Sequence, residues 1–197
     1  MSADKSSQNL YLPVMPFTDS DAFEVWLAEQ HNLSTGIWMR LYKIKSGITS
    51  INYAQALDVA LCYGWIDGQK KSYDDDSWLQ RFTPRRPKSI WSKRNREHIA
   101  RLTESGRMKP KGLAEVEAAK ADGRWEQAYD SASNMVVPED FLAELAKDKK
   151  AEAFFQTLNK ANVYAIAWRL QTAKKAETRA RRMNVILEKM KKGEKLQ

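Results

Sequence analysis

Between Trp65 and Asn95 the sequence interleaves aromatic rings with cations and amides. Trp65, Trp78, Phe82 and Trp91 alternate there with Gln69, Lys70, Lys71, Arg81, Arg85, Arg86, Lys88 and Asn95. A guanidinium fork grips phosphate or carboxylate through two parallel hydrogen bonds, and an aromatic face stacks a flat ligand. Interleaved, they suit a pocket for an anionic, ring-bearing ligand or a surface for single-stranded nucleic acid. The structural alternative puts the rings in the core under a hairpin, with the arginines solvated or paired to acids such as Asp67 and Asp74. Asp67 lies between Ile66 and Gly68 in a β-capable stretch. Buried there, its carboxylate requires a partner such as Arg81 or Arg85 across the hairpin, because an unpaired buried charge is costly. The candidate ligand-binding set is therefore Trp65, Asp67, Gln69, Lys70, Arg81, Arg85, Arg86, Lys88, Trp91, Ser92 and Asn95.

Other chemistries find less support. Neither GxxxxGK[ST] nor GxGxxG occurs, so no glycine loop is available to cradle a nucleotide phosphate. Ser92, His98 and Asp67 supply the residue types of a hydrolase triad, yet Ser92 lacks a nucleophile-elbow context and His98 sits in a charged helical stretch. Asp74, Asp75 and Asp76 read as solvated turn formers. Cys62 is the only cysteine and lies in the apolar run Ala56, Leu57, Ala60, Leu61, which makes it a buried structural thiol. With one cysteine and two histidines, His31 and His98, a Cys/His zinc site within one chain is excluded. No catalytic residue, metal ligand or cofactor is nominated. An enzyme with Asp67 as general base beside the arginines remains a minor alternative.

The chain's 197 residues carry a formal charge of +8. The charge is segregated: Arg81 to Arg101 holds eight Lys/Arg against Glu97 alone, and Arg169 to Gln197 holds ten against three acids. Each segment is net +7 while the remainder is slightly acidic, a distribution that points to anionic partners. No apolar run approaches the roughly 20 residues of a spanning helix. The N-terminal sequence has no continuous apolar stretch of signal-peptide type, so a cytosolic protein without integral membrane association is expected.

Positioning these residues requires several elements. Residues 1–18 read as an extended arm. Asp19 or Ser20 caps a helix to about Gln30. Gly36 to Lys43 alternates Ile37, Met39 and Leu41 against Trp38, Arg40 and Tyr42, the period of a strand. Asn52 precedes a helix over Tyr53–Tyr63, which Gly64 terminates. Trp65–Tyr73 and Trp78–Thr83 flank the acidic turn as a hairpin, ended by Pro84 and Pro87. Ser92 or Lys93 opens a helix to about Ser105, and Pro110 opens another ending near Asp122-Gly123. After Pro138, four helical segments follow, marked by Phe141, Leu142 and Leu145; Ala151, Phe154, Phe155 and Leu158; Val163, Ile166, Ala167 and Leu170; and Met183, Ile186, Leu187 and Met190. The expected class is a helix-rich α+β fold, with a small antiparallel sheet of about three strands in an α+β domain over 19–130 and a helical segment over 136–197. The last helix has a basic face suited to lipid or phosphate, and reads most simply as a solvated surface.

Four blocks carry a family resemblance: YAQALDVALCYGWIDGQKK, LQRFTPRRPKSIWSKRN, GRMKPKGLAEVEAAKADGRW and AWRLQTAKKAETRARRMNVILEKMKKG. In this order, from about Gly36 to Gly193, the chain resembles the YdeI/OmpD-associated, or bacteriocin-protection, family. The resemblance implies a link to tolerance of bacteriocins or cationic antimicrobial peptides and to an outer-membrane porin, with no enzymatic activity or cofactor attached. The leading expectation is a non-enzymatic stress-tolerance protein that binds an anionic ligand through Trp65–Asn95. Arg81, Arg85 and Arg86 would supply the charge, and Trp65 and Trp91 would wall the site. A nucleic-acid-binding module is the alternative.

Overall fold

A computed structural model describes residues 12–130 and 134–196. The chain forms two compact units, one running up to Trp91 and again from Asn95 to Gln127, the other comprising Ser92–Arg94 and the residues from Ala128 onward.

The first unit is built on a four-stranded sheet, β1 (Val14–Pro16), β2 (Ile37–Tyr42), β3 (Trp65–Ser72) and β4 (Ser77–Pro84), in the order β1-β2-β4-β3. Residues 1–11 of the expected arm lie outside the described residues. Val14–Pro16 pairs with β2 in parallel, so the sheet is mixed and has a fourth strand; three residues that follow one proline and end on another give no strand signal by themselves. The other pairings are antiparallel, with Ile37 opposite Phe82, Trp38 opposite Arg81 and Arg40 opposite Leu79. On β3, Asp67 faces Phe82 and Lys71 faces Leu79, and a bulge at Gly68-Gln69 interrupts the register. The nearly buried Gln80 holds that bulge by donating from Nε2 to Gly68 O at 2.8 Å. Its amide thus satisfies a carbonyl that the ladder no longer serves.

Alternation sorts the strands into two faces. One carries Ile37, Met39, Leu41 and Phe82, all fully buried. Helix α1 (Ser20–Gln30) reaches this face through Phe23, whose ring centroid lies 5.9 Å from that of Phe82. Asp19 caps α1 by accepting from Ala22 N. Helix α2 (Tyr53–Cys62) begins with a reciprocal capping box between Asn52 and Gln55, and the chain leaves it through Gly64 at φ 72°. Helices α3 (Lys93–Glu104) and α4 (Pro110–Ala121) follow. Gly112 of α4 approaches α2 so closely that a Cβ there would lie 2.2 Å from Cys62 O.

The second unit contains α5 (Glu139–Leu145), α6 (Lys149–Gln156), α7 (Lys160–Gln171) and α8 (Ala176–Lys192). Phe141, Leu145, Phe155, Ile166, Leu170, Ile186 and Met190 form its core. These are the positions that the 3.6-residue period marks. The class is α+β, with eight α-helices and four strands among the described residues. None of the helices described is long and apolar enough to cross a membrane.

Candidate functional site

The expected residues do not converge on one pocket. Trp65 is 1% exposed and its indole Nε1 donates to His31 O at 3.1 Å, within the core. Trp91 is also buried, and Arg85, only 6% exposed, lies flat on it with its guanidinium carbon 3.5 Å from the ring centroid. Trp91 in turn meets Trp125 edge-on at 5.0 Å, and Arg96 lies over Trp125 at 5.2 Å. Arg124, likewise buried, donates to Ser89 O at 2.8 Å and braces the connecting loop. The Arg85–Trp91–Trp125–Arg96 series is an internal ladder of cations and rings. Trp65 and Trp91 therefore cannot wall a ligand site, and Arg85 is a structural cation rather than a solvent-facing one.

The remaining candidates scatter. Arg86 and Lys88 are exposed on the loop, where Lys88 takes φ 65°. Ser92 falls in the second unit, where it bridges to Tyr129, and Asn95 is half-buried in the first. Gln69 is exposed at the bulge. Asp67 takes its hydrogen bond from the Tyr53 hydroxyl at 2.8 Å, not from Arg81 or Arg85. A phenol at the start of α2 is reached more directly than an arginine, because Asp67 shares its face with α2 while Arg81 lies on the other. Lys70, on the Asp67 side, places Nζ 4.1 Å over the Trp78 ring.

The triad of Ser92, His98 and Asp67 is not assembled. His98 Nδ1 pairs instead with Asp58 Oδ1 at 2.7 Å, and Arg101 Nη2 reaches both oxygens of the same carboxylate at 2.7 Å. Burial alone would raise the Asp58 pKa, but Arg101 and His98 together hold it below the ordinary carboxylate value. Burial pushes the Cys62 thiol up to about 11, which leaves it protonated and inert in the core. Among the described residues no group of three or more His, Cys, Asp or Glu side chains is gathered for a metal ion.

One arrangement does bring cations and rings to a surface. Trp38, Arg40 and Tyr42 of β2, Lys71 and Tyr73 of the hairpin, and Arg81 of β4 share the sheet face opposite α1 and α2. Lys71 Nζ stands 4.2 Å over the Trp38 ring. The Arg40 guanidinium lies 4.6 Å over Tyr42 and 5.1 Å over Tyr73. Arg40 is steered by Ser77 Oγ at 2.9 Å and Asp74 at 2.7 Å. The Ser77 hydroxyl bond holds the Asp74 carboxyl below its usual value, so the pair stays charged. Leu79, on the same face opposite Arg40 and Lys71 in the register, is 1% exposed. Arg81 lies across Gly68, and its buried Nε has no hydrogen-bond partner. Of the six residues, only Arg81 belongs to the expected set. The signal for three others was the period-2 alternation that puts Trp38, Arg40 and Tyr42 on one side of a strand. Lys71 and Tyr73 join them only through the long-range register.

Two family models match the chain. A domain of unknown function (DUF8412) covers residues 15–115, just over half of the sequence and all of the sheet but Val14. The model described as bacteriocin-protection, YdeI or OmpD-associated covers residues 134–193. No curated protein and no solved structure matches the chain. The GWIDGQKK and RFTPRRPKSIWSKRN blocks thus fall within the first match, and the AWRLQTAKK run within the second. The chain thus belongs to the family of the DUF8412 domain, and its residues 134–193 match the bacteriocin-protection, YdeI/OmpD-associated model.

Proposed function

We propose that this protein is a non-enzymatic binder of an anionic polymer, single-stranded nucleic acid, through the cation-and-ring face of its sheet. The observation that carries the reading is the placement of Arg40, Lys71 and Arg81 around Trp38, Tyr42 and Tyr73 on one sheet face. Phosphates meet the cationic heads, and a base finds the half-exposed Tyr73 ring. A face spread over three strands suits an extended ligand better than a compact one. A catalytic role finds no support in the available nucleophiles and bases: Cys62 is buried and protonated, and Asp67 is engaged by Tyr53.

The test is polarisation of a labelled single-stranded oligonucleotide at about 50 and 200 mM salt. With three phosphate contacts, affinity should fall about 20-fold between these salts, because each neutralised phosphate releases counterion. The Lys71→Gln/Arg81→Gln variant should bind about tenfold or more weakly, as two such contacts are lost. Unchanged binding by that variant, or none by the parent at low salt, rejects the reading.

A further inference from the structure

The acidic turn of the hairpin ends against the cation-and-ring face. Asp74 Oδ2 accepts from Arg40 Nη2 at 2.7 Å, and Ser77 Oγ accepts from Arg40 Nε at 2.9 Å. The Ser77 hydroxyl in turn donates to Asp74 Oδ1 at 2.6 Å, and Asp76 N donates to the same oxygen at 3.0 Å. Nε and Nη2 form one edge of the guanidinium, a fork that can grip a phosphate through two parallel bonds. Here that edge is filled by a carboxylate and a hydroxyl of the protein's own hairpin.

The turn is tied in place. Lys43 N donates to Asp76 O at 2.8 Å, and Lys43 Nζ donates to Asp75 O at 2.9 Å and to Asp74 O at 3.3 Å. Ser77, which joins the two partners, is fully buried. Arg40 and Asp74 keep 29% and 40% of their side-chain surface exposed, so an anion arriving from solvent can reach their contact. The Ser77 bond holds the Asp74 carboxyl below its ordinary value, and Asp74 is an anion at neutral pH. Lys71 and Arg81, on the same face, pair with no carboxylate among the described residues.

We infer that Asp74 is an autoinhibitory anion of this face: it occupies Arg40 in the free protein, and a ligand phosphate must displace it. The inference rests on the sheet reading proposed above and names the regulation of that site. A strand held first by Lys71 and Arg81 brings its next phosphate to Arg40 at high effective concentration, and one charge-assisted fork replaces another. The displaced carboxylate stays near the incoming phosphate, because Lys43 holds the turn that carries it. Like charges at that separation repel, which lowers affinity for an anion on Arg40. Binding at Lys71 and Arg81 is a neutralisation, whereas binding at Arg40 is an exchange of anions.

The experiment is a polarisation titration of a labelled single-stranded oligonucleotide with the full chain and its variants at about 50 mM salt. Asp74→Asn removes the charge and keeps an acceptor for Asp76 N and the Ser77 hydroxyl. It should bind about fivefold more tightly than the parent, the effect of removing one like charge beside a phosphate. Asp75→Asn removes the same charge from a side chain that does not contact Arg40, and should gain about twofold at most. In an Arg40→Gln background the gain from Asp74→Asn should vanish, since the exchange takes place on Arg40. Asp74→Ser, a shorter uncharged acceptor, gives the same reading if Asp74→Asn lowers the melting temperature. A binding parent with no gain in Asp74→Asn overturns the inference and leaves the sheet reading standing. Equal gains from Asp74→Asn and Asp75→Asn, or a gain that survives Arg40→Gln, overturn it as well, because bulk charge would then explain them. No binding by either the parent or Asp74→Asn overturns the sheet reading and this inference together.

Discussion

Two regions of the first unit lay a cation on an aromatic ring, and they do so for different ends. In the loop after the hairpin, Arg85 and Trp91 are both buried, and the contact extends through Trp125 to Arg96. On the sheet, Lys71 and Arg40 cover Trp38, Tyr42 and Tyr73 from the solvent side. The residue types are nearly interchangeable between the two regions, and burial distinguishes them. A desolvated cation–ring pair contributes roughly 2 kcal/mol or more, whereas an exposed one contributes about 0.5–1. The inner ladder accordingly belongs to stability, while the outer cations are available to a ligand at little structural cost.

The strongest challenge to this distinction is Arg85→Ala. It removes a buried stacked side chain, and should destabilise the protein by about 3 kcal/mol, the combined loss of the cation–ring contact and of packing. That corresponds to a melting temperature lower by roughly 10 °C. A variant as stable as the parent would break the comparison. Double-mutant cycles sharpen it: coupling of about 2 kcal/mol is expected between Arg85 and Trp91, against at most about 1 between Lys71 and Trp38. Equal couplings would show that the two regions are energetically alike.

The smallest effect concerns two carboxylates, one half-buried and one exposed. Asp58 has its pKa lowered against the burial that opposes it, through Arg101 and His98. A depressed folded pKa contributes stability above the ordinary value of 3.8, and loses it as pH falls through the folded value. Acid unfolding followed by circular dichroism should thus show the parent losing its advantage over Asp58→Asn below about pH 4. Asp74 is shifted in the same direction but is fully exposed, so Asp74→Asn should change the acid limb less.

Much of this fold was legible in the sequence because its signals are local. Asp19, the Asn52–Gln55 box and Gly64 mark helix ends through hydrogen bonds or φ preferences that act within four residues. The apolar stripes of α5 to α8 likewise need only a helical period. The surface site was less legible, since it depends on pairings that join Trp38 to Arg81 and bring Lys71 over the Trp38 ring. The dense Trp65–Asn95 segment misled for the complementary reason. Alternation along β3 and β4 sends successive residues to opposite faces, and the loop after Pro84 turns its arginine inward onto Trp91. Proximity along the chain overstated proximity in space. Val14–Pro16 escaped notice because its strand character comes from its neighbour β2, not from its own composition.

The tethered bulge at Gly68-Gln69 has a consequence for self-association. β3 is an outer strand of an open sheet, and such a strand offers unpaired backbone groups to any other chain, the starting point of edge-to-edge aggregation. With Gln80 holding the bulge and Lys70 and Lys71 beside it, β3 presents an irregular, cationic edge that a second copy cannot extend in register. The opposite edge is protected by brevity: β1 has three residues, and Pro16 lacks the N–H that a further strand would need. The sheet is thereby closed to growth at both ends while its face remains open.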